Sequence, residues 1–382
     1  MNIAVGPEFV LRGHESPVNC VAFSCGSITE EDALISGSLD GDIKLWSLSS
    51  RRAITRTGAH SQSVISVLDM PGNDGAKFLS AGRDECMKLW DINTLTSTAY
   101  PVSVFHTGAK HFCNVSSDFY AHKSINTASN IVLSPSANEH CALLWDARTG
   151  SVIQKIDIGS EHGMITALHL NSSRAQQYLC SDVLVGLEDG SLTAIDLRMN
   201  RKADADSGRI DDPVTSQNVA LHDKQPLMCI DASPDGTSVL TGGADQSIHY
   251  TSKLSQEQCE KYQNTVYPSI IPVPEKRATL NRPGTSSIKY RPDGRIVVSA
   301  HWDHTVRIFD PKKSPLRPLA VLSHHRESVF AVAFSPKGTM FATASKDATI
   351  ALWTVYSDTY KPKQMSKCSE TATGMIDSET PS

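Results

Sequence analysis

The sequence predicts an all-β chain: a seven-bladed β-propeller closed by an N-terminal strand that completes the last blade. Three observations predict it. First, an acidic turn residue is followed six positions on by an aromatic or bulky residue seven times. The pairs are Asp40/Trp46, Asp84/Trp90, Glu139/Trp145, Asp189/Ile195, Asp245/Thr251, Asp303/Phe309 and Asp347/Trp353. Second, His14, His60, His222 and His325 each stand four residues before Val18, Val64, Pro226 and Val329, where an inner strand or its equivalent begins. His162 stands three before Ile165, and Asn281 falls where the sixth unit would have its His. Third, short β-branched and aromatic runs are separated by the turn tetrads SPDG at 233–236, RPDG at 291–294 and SPKG at 335–338. A fixed unit of this kind repeated along a chain marks a repeat architecture.

Taken in order, the first element is the run Glu8–Arg12, just before Gly13-His14. It is the donor expected to supply the outer strand of the seventh blade, because a closed ring leaves no open sheet edge. Each unit then supplies inner strands, and a fourth strand precedes the next His, as in 53–57 and 319–322. The clearest unit is 325–353, with strands at 329–334, 340–344 and 349–353. Pro336 presets φ and Gly338 accepts positive φ in its first turn; Ser345-Lys346-Asp347-Ala348 makes the second. The connections 107–130, 199–220 and 253–284 are read as long surface loops at blade margins. Residues 1–356 form the propeller, and the Ser/Thr/Lys-rich tail 357–382 is expected to be disordered.

Bulk properties narrow the function classes. The chain has 382 residues, 40% of them hydrophobic and 20% charged, with net charge −5. No broad basic surface for nucleic acid or anionic membrane is expected. No apolar run approaches the roughly 20 residues of a spanning helix, and the N-terminus lacks the pattern of a signal peptide. Nine scattered cysteines without a CxxC pair read as reduced core residues of a cytoplasmic or nuclear protein.

His, Ser/Thr and Asp recur together as His14/Ser36/Asp40/Trp46, His60/Ser80/Asp84/Trp90 and His325/Thr343/Asp347/Trp353. A hydrolase needs one such set, whereas a repeated fold needs one per blade. The expected role is therefore structural: Asp accepts from His, His meets the hydroxyl, and the hydroxyl accepts from the indole N–H. No phosphate loop, HExxH or clustered carboxylate/His metal pattern is present, so no catalytic residue, metal or cofactor is expected. What remains is binding at the rim. The residues before the turn Asp and at the start of the inner strand face one side, and four of them are candidate partner contacts: Arg83, Trp302, Phe330 and Lys346. Trp302 stands out because the polar turn His-Trp-Asp-His has no local need for an indole, and aromatics and Arg are favoured interface anchors.

Gly13-His14…Leu45-Trp46, Ala59-His60…Leu89-Trp90-Asp91 and His325…Leu352-Trp353 resemble the WD40 repeat family over about the first 356 residues. More narrowly, PEFVLRGHESPVNCVAF, SGSLDGDIKLWSLSSRRAI, AGRDECMKLWDI and SAHWDHTVRIFD…ATASKDATIALWTVY resemble the family of the G-protein β-subunit-like protein and the fungal ASTRA-associated protein. That resemblance implies a non-catalytic cochaperone-type factor, a monomeric propeller within a larger complex. Its implied partners are the TTT cochaperone subunits and the phosphatidylinositol-3-kinase-related kinases of DNA-damage and nutrient signalling. Two rivals stand beside it. Substrate receptors of cullin–RING ubiquitin ligases often carry a Trp-Asp-x-Arg ending. Trp145-Asp146-Ala147-Arg148 fits, with a degenerate second copy at 195–198. Heterotrimeric G-protein β subunits share the propeller but carry a long N-terminal helix, and only about seven residues precede the first strand here.

Overall fold

The computed structural model describes residues 6–24, 33–72, 75–93, 95, 100–110, 112–117, 130–170, 183–195, 197, 216–252 and 273–355. Among them are 28 strands and no helix, arranged as seven four-stranded antiparallel sheets, the blades of a propeller. Blades one to six each take four successive strands, from Val18–Ser24 in blade one to Pro318–Ser323 in blade six. Blade seven combines Val329–Phe334, Met340–Ser345 and Thr349–Thr354 with Phe9–Arg12 from the other end of the chain. The closing strand pairs Phe9 with Leu352 and Leu11 with Ile350, and the Glu8 N–H donates to the Leu352 carbonyl at 2.8 Å. Leu11 is fully buried, and burial of one Leu contributes about 1.5–3 kcal/mol.

The core lies between blades rather than within any one. Seven apolar clusters occur among the described residues, one at each blade boundary, including the boundary between blades seven and one. Middle strands are therefore covered on both faces. Ala33–Ser38, Val183–Leu187 and Val297–His301 are buried at every position and show no apolar/polar alternation. Blades approach closely: a Cβ on Gly37 would lie 2.4 Å from Cγ1 of Val64 in the next blade.

Turn chemistry follows the same repeat. In blades one, two, four, six and seven the residue after the turn Asp has positive φ: Gly41, Glu85, Gly190, His304 and Ala348. The Asp carboxylate accepts from the backbone N–H two residues on, as in Thr349 N–H to Asp347 Oδ1 at 3.0 Å. This Asx turn explains why Asp marks the repeat.

Three of the expected loops are not wholly loops. The span 107–130 contains the short inner strand Ser116–Ser117 of blade three; 199–220 ends in Ser216–Ala220, the outer strand of blade four. The span 253–284 holds Val273–Thr279, the outer strand of blade five. These strands are polar, and the last carries Pro274 at a register shift, which an edge strand tolerates. Within those spans 111, 118–129, 199–215 and 253–272 lie outside the described residues, as do the tail 357–382, Asp196 and Arg198 of the second Trp-Asp-x-Arg copy, and Cys25, Cys180, Cys259 and Cys368. Cys20, Cys86, Cys113, Cys141 and Cys229 are free thiols, and burial pushes Cys20 and Cys229 up to about 12.

Candidate functional site

The backbone N–H of the residue before the turn Asp donates to the lead-in of its own blade's inner strand in six blades. The pairs are Leu39 to Pro17, Arg83 to Ser63, Glu188 to Met164, Ala244 to Pro226, Trp302 to Gly284 and Lys346 to Ser328. These residues are thereby held on one side of the ring, beside the His/Asp pairs.

The three predicted His/hydroxyl/Asp/Trp sets differ. In blade two, His60 lies 2.7 Å from both Asp84 Oδ1 and Ser80 Oγ, and the Trp90 indole donates to Ser80 Oγ at 2.8 Å. Blade seven repeats it: His325 to Asp347 at 3.0 Å, His325 to Thr343 at 2.8 Å, Trp353 to Thr343 at 3.0 Å. Blade one departs from the expectation. His14 meets Ser36 at 2.7 Å and Trp46 donates to Ser36 at 2.8 Å, but His14 Nδ1 has no hydrogen-bond partner. Asp40 is exposed and taken by the Ser38 hydroxyl and the Asp42 N–H instead.

The electrostatics match. Burial acts to raise the Asp84 carboxyl, but the His60 hydrogen bond and the charges of His60 and Lys88 outweigh it and hold it at about 2. Asp347 is likewise held below the usual carboxylate range against its burial, by His325 and Thr349. His14, buried and facing Lys44, is lowered to about 4. Ser80 and Thr343 are 0% exposed, and each accepts an indole N–H. A nucleophile needs its oxygen open to substrate, and these sets leave no approach. They are clasps in geometry.

The other blades rewire the pattern. In blade four His162 meets Asp189 at 2.8 Å, and Asn218 replaces the hydroxyl at 2.8 Å. In blade five His222 bridges Asp245 and Thr241 with Thr251 in the Trp position. In blade six no upstream His exists. Ser299 instead meets His301 at 2.6 Å, and Asp303 pairs with Arg307 at 2.7 Å.

That rewiring frees the blade-six turn. Trp302 is 41% exposed, and its ring lies flat against Gly284, where a Cβ would come within 2.1 Å of the indole. Gly284 has φ +95, open to glycine. The Trp302 carbonyl accepts from the Ser328 hydroxyl at 2.9 Å, tying the turn to blade seven. Phe330, expected on the rim beside it, is the second residue of its inner strand and is among the residues that line the central channel. Lys346 pairs with Glu327 at 3.4 Å. The Arg83 guanidinium donates to the Lys110 carbonyl and stacks 4.3 Å from the ring centroid of Phe112, itself 70% exposed. Sequence reading had no signal for Phe112, which follows a polar stretch.

The channel is lined by inner strands of all seven blades, with room for about 290 Å³. Among its lining residues are the paired charges Asp231 and Lys289: Asp231 accepts from Lys289 at 2.9 Å and from the Tyr290 N–H at 2.7 Å. In blade three Trp145 is buried and donates to Ser134 at 2.9 Å, whereas Arg148 is exposed and lies 3.5 Å from Asp146. The structure also brings together His222, Asp245 and His249, with ligand atoms all within 4.8 Å, a cluster the sequence pattern did not reveal.

The profile described as WD domain, G-beta repeat matches residues 6–47, 215–250, 276–310 and 316–354. The chain is similar to the guanine nucleotide-binding protein subunit beta-like protein 1 of Mus musculus, 30% identical over 92% of this chain and 96% of that protein. It is also similar to the ASTRA-associated protein 1 of Schizosaccharomyces japonicus, 26% identical over 92% of this chain and 99% of that protein. The Verticillium alfalfae protein of the same name is 24% identical over 86% and 78%. Among solved structures, a chain of the mitotic checkpoint complex crystal structure shares the fold at TM-score 0.66, with 16% identity and 92% of each chain covered.

Proposed function

The chain belongs to the WD-repeat family of the guanine nucleotide-binding protein subunit beta-like protein 1, and we propose that it acts as a non-catalytic protein-interaction scaffold that docks its partner on the Trp302 side of the ring. The observation that carries this is the exposed indole of Trp302, held rigid by Gly284 and Ser328. A preorganised aromatic contributes area to an interface at little entropic cost. Phe112 under Arg83 is the second anchor on the same side.

The relatives named ASTRA-associated protein 1 support membership of a multiprotein assembly. In the finer reading the partners are TTT cochaperone subunits and the phosphatidylinositol-3-kinase-related kinases they mature, in cytoplasm and nucleus. Affinity purification of the full chain with mass spectrometry tests it. Recovery of TTT subunits and large kinases, lost with Trp302→Ala, is expected; a properly folded variant that recovers them unchanged removes Trp302 from the interface.

One observation favours a second reading, a receptor for a cullin–RING ligase: Arg148 is exposed and presented by its Asp146 partner. Recovery of a cullin adaptor, abolished by Arg148→Ala, would select it over the first. Recovery of a γ chain would select a G-protein β role.

A further inference from the structure

The geometry points to a zinc site in blade five, built from His222, Asp245 and His249. Its basis is a substitution within the repeat. Four residues after the turn Asp, blade two has Lys88 at 3.3 Å from Asp84, and blade six has Arg307 at 2.7 Å from Asp303. Each carboxylate there has a cation beside it. Blade five puts His249 at that position. His249 is buried, and its Nε2 lies 3.0 Å from the Ser247 hydroxyl. Arg277, opposite His249 on the outer strand, pairs with Asp223 at 3.4 Å. Asp245 thus faces two imidazoles where blades two and six supply a positive charge.

The tautomer argument points the same way. In blades two and seven a Trp indole donates to the clasp hydroxyl, whose own hydrogen is then directed at the His Nε2. That fixes the His proton on Nδ1, toward Asp. Blade five has Thr251 instead of Trp, so the Thr241 hydroxyl receives no indole N–H. It is free to accept from His222 Nε2–H at 2.9 Å once a cation takes the place of the Nδ1 proton that Asp245 accepts at 2.8 Å, so Nδ1 can turn from donor to ligand. A ligating His oriented by a hydrogen bond from its other ring nitrogen is the usual outer-shell arrangement of zinc sites.

Two imidazole nitrogens and a carboxylate oxygen form a ligand set that zinc accepts, at bonds of about 2.0–2.2 Å. The Ser247 hydroxyl supplies the fourth corner: it is bonded to Asp245, 3.0 Å from His249 Nε2 and 3.4 Å from His222 Nδ1. The ligand atoms must close by a small side-chain movement. The site also connects to the rim. The Asp245 carbonyl accepts from Gly284 N–H at 3.1 Å, and the Gly284 carbonyl accepts from Trp302 N–H at 3.0 Å. The zinc assignment does not depend on the docking reading.

The test uses the full chain stripped with chelator and then given zinc alone, with bound metal measured by equilibrium dialysis and stability by melting with and without EDTA. The comparison variant is His249→Lys, which installs the residue blade two uses; His249→Gln is the second if the first melts lower without zinc. The wild type is expected to bind one zinc more per chain than either variant and to melt higher with zinc, a rise the variants lack. Cobalt at the same site is expected to give a tetrahedral spectrum without thiolate charge transfer. Equal zinc content and equal melting response in wild type and variants would overturn the site. So would no response in the wild type, or a cobalt spectrum carrying thiolate bands that persist in His249→Lys.

Discussion

Blades six and seven are neighbours built on the same turn, yet they use it differently. In blade seven, Ser345-Lys346-Asp347-Ala348 reaches across to His325, and Asp347 also accepts from the Arg326 N–H at 3.1 Å. The turn is committed to holding its own blade together. In blade six, His301-Trp302-Asp303-His304 satisfies itself: His301 meets Ser299, and Asp303 meets Arg307 four residues on. Asp303 is satisfied within its own turn and strand rather than by a lead-in His, and the lead-in residue Gly284, without a side chain, accepts the Trp302 N–H and leaves a bare platform for the indole. Where the clasp is complete the turn is structural; where it is rewired the turn can present a side chain to a partner.

The comparison can be broken from either side. The largest effect is expected in blade six. Asp303→Ala strands Arg307, which shares a largely buried ion pair with it, and breaking such a pair costs about 3–5 kcal/mol. Urea unfolding measures it, and a loss under about 1 kcal/mol would show that Arg307 finds water instead. In blade seven, Asp347→Ala removes the acceptor of the Arg326 N–H and leaves His325 Nδ1 with the Thr349 hydroxyl at 3.4 Å. A loss of about 1–3 kcal/mol is expected, and an unchanged urea midpoint would mean the clasp contributes nothing.

Acid sharpens the contrast. Burial and the nearby Arg307 charge lower His301 to about 3. A depressed pKa means the unfolded chain binds the proton first. His301 therefore contributes its full stabilisation above pH 6.5 and loses it as pH falls toward 3. Each such His adds a slope of about 1.4 kcal/mol per pH unit between its two pKa values. His301→Gln should flatten the fall in urea midpoint over that window; an unaltered slope would assign it to His14 and His169, which are also lowered to about 4. The smallest effect is expected at Ala348, with φ +63. Ala348→Gly should stabilise by about 0.5–1 kcal/mol through relief of a left-handed residue, readable as a higher midpoint; a lower one would show that chain entropy wins.

These two blades also show what a sequence can convey. Blade seven was legible because its four clasp residues stand at fixed offsets and its strands are apolar runs between turn tetrads. The closing strand was legible because an unfilled edge had one apolar run near the other terminus. The outer strands of blades four and five were not, since edge strands such as Val273–Thr279 carry the composition of a loop. Spacing also misled in blade one, where His14 and Asp40 have the right offset but Ser38 captures the carboxylate. His301 was hidden because it follows its hydroxyl by two residues instead of preceding it by about twenty. The His249 cluster was hidden because only the strand turn brings it to His222.

Trp302→Ala tests the central claim most directly, with melting temperature and partner recovery measured on the same full-length preparation. Trp302 contacts a glycine and solvent on its exposed face, so the melting temperature should stay within about 2 °C of the parent, the shift expected of a surface change of about 0.5 kcal/mol. Partner recovery should fall at least tenfold, the loss expected for a hot-spot aromatic worth about 1.4 kcal/mol or more. Equal recovery at equal stability would contradict the account and return Trp302 to the role of a turn residue.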